Sequence, residues 1–200
     1  MNDTSNVTNT HNGHEYVDLG LSSGLLWATC NVGATSPEQA GLYFAWGETT
    51  GYTAEQVAAG FRVFTEDVYN AGSAASISAD LTLEQDAAHV NLGGNWRMPT
   101  YDEFQELIDN CRWGWTENYN GTGIKGCILT SKINRNSVFF PADGYGCYSS
   151  VNGVGAYGYY WSISWCPTSC TWCLYFKHID QLLYYGGRHY GQPVRGVCKK

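Results

Sequence analysis

PTYDEFQELIDNC, residues 99–111, has the clearest periodicity in the chain. Thr100 and Glu103 stand three apart ahead of an apolar run, so hydroxyl and carboxylate can cap a helix start reciprocally. Phe104, Leu107, Ile108 and Cys111 then recur at spacings of three and four along one face. Asp102, Glu103, Glu106 and Asp109 occupy the polar side, where solvation explains them. One amphipathic helix therefore lies mid-chain.

Beyond it the pattern shortens. Segments 126–131, 137–140, 159–162, 172–176, 182–185 and 193–197 are apolar runs separated by Gly, Asn and Pro, and read as strands. Upstream, Val17, Leu19 and Leu21 alternate at period two, and residues 25–28 form a second run, which predicts paired strands within 16–32. A second helix is expected over 81–90, with Thr82 and Gln85 as its capping box. A brief helix start is expected at Ser36-Pro37-Glu38, ended by Gly41 and the aromatic run at 43–46. Residues 50–78, rich in Ala and Gly, read as an insertion tucked onto the body by Phe61, Val63 and Phe64. Residues 1–14 read as a polar linker. Trp113 and Trp115 read as strand or loop packing rather than a sugar platform.

The composition fits one ligand-binding domain over 15–200. Of the 200 residues 44% are hydrophobic and only 14% charged, which is ample for a core. The net charge of −7, with 11 Lys and Arg scattered along the chain, argues against nucleic acid as partner. No apolar run reaches the ~18 residues that span a bilayer. With 24 Gly, 8 Trp and 15 Tyr, the chain suits short strands joined by tight loops whose aromatics are stacked or displayed.

Eight cysteines at 30, 111, 127, 147, 166, 170, 173 and 198 lack the regular spacing of a disulfide scaffold. Cys111 on the helix's apolar face and Cys30 at a strand end read as core thiols, a bridge between them staying open. Cys166, Cys170 and Cys173 have spacing within reach of one zinc ion, but no fourth ligand is obvious, although His178 and His189 lie downstream. Thiols on a loop are the favoured reading, and no metal or cofactor is expected.

Residues 158–200 mix Trp, Tyr, Cys, His, Asp and Gly at neighbouring places in a way that a core strand would not tolerate and a ligand-facing surface would. An aromatic-rich surface hairpin with no binding role is the plain alternative.

Residues Gly94-Asn95-Trp96-Arg97-Met98-Pro99-Thr100, followed by Glu103-Phe104, resemble the Arg-Leu-Pro-Thr-x-x-Glu-Trp segment of the formylglycine-generating-enzyme branch of C-type lectin folds. In it Pro99 and Thr100 launch the helix and Arg97 is placed to meet a carboxylate or carbonyl. The front of the chain, Val17 to Leu21, Trp27 to Ala34 and Tyr43 to Glu48, resembles the FISUMP-type paralogous surface domains of gut-associated bacteria. That likeness continues through Phe140-Pro141-Ala142, Gly144-Tyr145, residues 158–162 and Gly191 to Arg195. It implies an α+β, C-type lectin-like fold with two helices, small antiparallel sheets and long loops.

Some members of that family are variable proteins of diversity-generating retroelements, whose rewritten codons near the C-terminus yield NNY products and so exclude Trp, Gln, Lys, Glu and Met. The resemblance implies variation at Cys166, Thr168, Ser169, Cys170, Cys173, Tyr175, His178, Ile179, Asp180, Leu182, Tyr184, Tyr185, Gly186, Gly187, His189 and Tyr190. Trp161, Trp172, Leu174, Phe176, Arg188, Gly191 and Arg195 would stay constant. Tyr175, Tyr184, Tyr185, His189 and Tyr190 would anchor a ligand, and His178 and Asp180 would adjust it. The implied role is non-catalytic recognition of a protein or glycan on a cell surface, by a protein that is extracellular, on a cell surface or on a virion. A non-diversified bacterial adhesion domain, perhaps carbohydrate-binding, is the runner-up.

An oxidase of the formylglycine-generating type would use Cys170 and Cys173. The Asn-Arg-Tyr-Arg pattern that follows the cysteines there is replaced by Leu174-Tyr175-Phe176. Calcium-dependent sugar binding would need an oxygen cage, which Gln192-Pro193-Val194 lacks at its third position.

Overall fold

A computed structural model describes residues 9–167 and 170–200. Its first sheet opens with β1 (Thr10–His11), β2 (His14–Asp18) and β3 (Leu25–Asn31), and is closed by the last strand of the chain. Residues from Thr10 onward thus belong to the body, where a linker through residue 14 was expected. Trp96 Nε1 donates to the His11 carbonyl at 3.0 Å and ties that hairpin down. The segment expected to start a helix at Ser36 makes a turn instead, Gln39 N–H bonding the Ser36 carbonyl.

The insertion-like stretch holds two one-turn helices, α1 (Ala54–Ala58) and α2 (Glu66–Asn70), capped by Thr53 and Thr65. Val57, Phe64 and Tyr69 from this stretch bury together with Tyr43 and Ala45, forming a satellite core. Phe61, expected among the anchors, is instead 73% exposed. The helix expected over 81–90 divides into a 3-10 turn (Leu83–Gln85), which carries the Thr82–Gln85 capping box, and α3 (Ala87–Leu92). Asp86 forces the break, because its carboxylate caps Ala88 and His89 while its second oxygen accepts from Met98 N–H.

The quoted segment forms α4 (Tyr101–Asn110). Thr100 Oγ1 accepts from Glu103 N–H at 3.2 Å, and the Glu103 carboxylate accepts from Thr100 N–H at 2.8 Å. Arg97 grips the same carboxylate through both terminal nitrogens, at 2.7 and 2.5 Å. The described residues therefore hold four α-helices, three of them of one or two turns, where two were expected.

Past the helix, β4 (Cys111–Thr116), β5 (Gly126–Ser131) and β6 (Ser137–Pro141) make an antiparallel sheet that includes Trp113 and Trp115. A two-stranded hairpin follows, β7 (Tyr145–Cys147) and β8 (Ser150–Asn152). Then come β9 (Gly158–Trp165), β10 (Cys170–Lys177) and β11 (Asp180–Gly187), in the order β11-β10-β9, and finally β12 (Arg195–Lys199), which pairs with β3. The fold is α+β with small antiparallel sheets. No helix among the described residues is long and apolar enough to cross a membrane.

The β9–β11 sheet is packed on both sides. Tyr160, Leu174 and Phe176 join Trp27, Phe104 and Phe140 in one core, while Trp161 and Cys173 join Trp46, Trp96 and Val194 in another. Between them Arg195 lies fully buried. Its Nε donates to Asn31 Oδ1, one terminal nitrogen donates to the Ala28 and Thr29 carbonyls, each at 2.9 Å, and its plane sits 4.3 Å from the Phe140 ring centre. Asn31 in turn donates to buried Asp143 at 3.1 Å. Burial pushes the Asp143 carboxyl up to about 7, with the Arg195 charge pulling the other way.

The satellite core meets the C-terminal region at a tightly packed seat. Gly146 and Gly191 exchange two main-chain hydrogen bonds, and the Phe64 ring lies over both. A Cβ would meet that ring at 2.5 Å from Gly146 and 2.4 Å from Gly191.

Candidate functional site

Strand alternation decides which side chains of β9, β10 and β11 reach solvent. Tyr159 lies opposite Tyr175, Tyr175 opposite Leu182, and Cys173 opposite both Trp161 and Tyr184, so these residues share one face. At the Trp161 and Cys173 end that face is roofed by the second core. At the other end it opens, and Tyr159, Tyr175, Leu182 and Tyr184 line a concavity of about 290 Å³.

The rings there form a continuous surface. Tyr175 lies 5.0 Å from Tyr159 and 6.0 Å from Tyr184, Tyr184 stacks on Tyr185 at 5.4 Å, and Tyr159 meets Tyr145 at 5.1 Å. Tyr145 touches Tyr190, and Tyr190 touches His189. Tyr157, 39% exposed, leans on Tyr159 and Tyr175. None of these phenols bonds the protein through its hydroxyl among the described residues. The buried tyrosines behave otherwise, Tyr43, Tyr69 and Tyr160 each donating to a main-chain carbonyl at 2.8–2.9 Å. A buried phenol needs such a partner, and a displayed one keeps its hydroxyl for water or a ligand.

Of the sixteen positions expected to vary, Thr168 and Ser169 lie outside the described residues, and of the other fourteen only Cys173 is buried. Of the seven expected to stay constant, only Trp172 is not buried, and it wedges edge-on between Tyr101 and Tyr185. The division into framework and surface thus follows side-chain burial at all but these two places. Arg188 shows why a cation sits in the framework. Its guanidinium lies 4.9 Å from the Trp46 ring centre, and it donates to the Ile77 carbonyl at 2.8 Å and the Cys166 carbonyl at 3.3 Å.

Cys173 departs from the expected surface. It is 0% exposed against Trp161, and burial pushes its thiol up to about 12, so it is no ligand contact. Position 173 was included on codon grounds, whereas pleating turns it inward. The same pleating puts Cys170 and Cys173, three apart on one strand, on opposite faces. Cys30 and Cys111 are separate free thiols.

The other positions do not make one patch. Tyr175, Leu182, Tyr184, Tyr185, His189 and Tyr190 belong to the aromatic surface. His178, Ile179 and Asp180 form the β10–β11 turn, where His178 faces Trp115 at 5.7 Å. Cys166 and Cys170 lie at the opposite end of the sheet, one eight-residue strand or roughly 26 Å away. Tyr145, Tyr157 and Tyr159 are functional candidates that the sequence reading passed over. Tyr159 was findable, since it stands two residues before Trp161 in a strand and its ring follows the same face.

A larger concavity of about 620 Å³ lies elsewhere, beside β2, β3 and the turn at Ser36. None of its lining residues is Tyr, Trp or Phe, and small side chains such as Ala28, Gly33 and Ala34 form much of its wall. Comparison with family models, curated proteins and solved structures finds no match to this chain.

Proposed function

We propose that the protein is a non-catalytic recognition domain of C-type lectin-like fold whose C-terminal surface is diversified by a retroelement, and that it binds a protein or glycan on a cell surface. The carrying observation is the match of the expected division with burial: six of the seven positions expected to stay constant are buried, and thirteen of the fourteen described positions expected to vary are not. Rigid, unbonded tyrosines give large contact area at small entropic cost, as in antibody loops. The separation of Cys170 from Cys173 favours this reading over a two-cysteine oxidase, and the thiol with the raised pKa is a poor nucleophile.

Two measurements test it. The gene's surroundings should contain a reverse transcriptase and a near-identical repeat differing at adenines, and a complete locus lacking both would end the retroelement reading. Changing Tyr184, Tyr185 and His189 together to alanine should abolish retention on an array of cell-surface proteins and glycans. The same variant should shift Tm by no more than about 2 °C. A large loss of stability would place these side chains in the core.

A further inference from the structure

Beside the aromatic surface runs a groove of about 350 Å³ between α2 and the β7–β8 hairpin. It is lined by Phe64 to Asp67 at the start of α2, by Cys147 and Tyr148 of the hairpin, and by His189 and Tyr190. Three stretches of chain meet there because Phe64 and Tyr148 exchange main-chain hydrogen bonds at 2.9 and 3.0 Å, which hold Tyr148 at φ +53° with its ring 68% exposed.

The groove is electrically one-sided. Glu66 and Asp67 are exposed, and neither forms an ion pair among the described residues, whose salt bridges join Arg62 to Glu48, Arg97 to Glu103, Lys125 to Glu117 and Lys200 to Asp18. No Lys or Arg lines it. Three of the chain's six arginines lie over inner rings, Arg62 on Phe64, Arg188 on Trp46, and Arg195 on Phe140 and Tyr160. The Tyr148 and Tyr190 faces have no cation of their own. Two acidic residues and two tyrosines lining one groove suit a planar guanidinium, which can lie on a phenol ring while its edge donates to carboxylate oxygens.

We propose that this groove receives an arginine side chain of a protein partner. Glu66, Asp67 and Tyr148 would form a constant subsite next to the diversified tyrosines. The inference deepens the binding reading of the adjoining sheet face and narrows its partner to a protein with a basic exposed segment.

The probe is an acetylated, amidated hexapeptide Gly-Arg-Arg-Arg-Arg-Gly, compared with the same peptide carrying citrulline in place of arginine, which keeps the shape and removes the charge. Binding is followed by shifts of the His189 and Tyr148 ring resonances at low salt. The arginine peptide should bind and the citrulline peptide should not. Glu66→Gln with Asp67→Asn should weaken binding about tenfold with folding intact by circular dichroism. Tyr148→Asn, which tolerates the left-handed backbone, should also weaken it. Tyr175, Tyr184 and Tyr185 changed together to alanine should leave it within about twofold. Equal binding of the two peptides, no binding of either, or an unchanged affinity in the Glu66/Asp67 variant would overturn the proposal. If the triple tyrosine variant alone loses the peptide, the cation belongs on the sheet face. The groove assignment then fails while the recognition reading stands.

Discussion

Trp161 and Tyr159 stand two residues apart on one face of one strand, yet the first is wholly enclosed and donates its indole N–H to the Phe44 carbonyl at 2.8 Å, while the second lines an open concavity. Removing the enclosed ring leaves a cavity and an orphaned carbonyl. Trp161→Ala should therefore cost about 3–5 kcal/mol in urea unfolding, and a near-neutral result would invert framework and site. Substitution by asparagine separates buried from displayed positions in one contrast. Cys173→Asn places an amide against Trp161 with poor prospects of full bonding, and should lose about 1–3 kcal/mol or more. Tyr184→Asn, at a ring 45% exposed, should stay within about 0.5 kcal/mol. Equal effects at the two positions would show that burial does not govern tolerance here.

At the scale of elements, α4 was legible because its two signals are local: a capping box spaced by three and an apolar face spaced by three and four. The box closes within the helix's own first turn, where Arg97 adds a grip on the same Glu103 carboxylate, and the face packs into the core around Trp27 and Phe140. Thr100→Ala should cost about 1 kcal/mol by thermal or chemical unfolding, since it leaves the Glu103 N–H without its side-chain acceptor. The strand segments were legible for a similar reason, as the short apolar runs at 126–131 and 172–176 match β5 and the heart of β10. The failures share another cause. Ser36-Pro37-Glu38 carries a helix-start signal, but no apolar face follows to be buried, so the chain turns. Phe61 looks like an anchor by type, but Phe64 and Val57 fill that satellite core first. Cys173 was misplaced because codon class reports what a gene can encode, whereas the inward side of a pleat is set by its neighbours on β9 and β11. Tyr145 and Tyr157 escaped notice because they join the surface only through contacts between distant segments.

For the whole molecule, the meeting of the cores is held by Arg195, Asn31 and Asp143. Burial raises the Asp143 carboxyl from the ordinary 3.8 to about 7, so the fold binds its proton more tightly than the unfolded chain does. The contribution is fully present below about pH 3.8 and is lost as pH rises towards about 7. Asp18 and Glu106, held below their usual range, act with the opposite sign at more acid pH. Comparing Asp143→Asn with the parent over pH 4–8 isolates the effect: the parent should lose stability relative to the variant as pH rises through that window, and a constant difference would refute the assignment. The seat of Phe64 on Gly146 and Gly191 has a consequence of another kind. Even a methyl group at either α-carbon would drive the ring off, loosening the knot that joins the one-turn helices to the C-terminal stretch. If the proposed exchange of side chains runs down the chain through Tyr190, it must halt at Gly191, at a frontier drawn by steric exclusion at a single carbon.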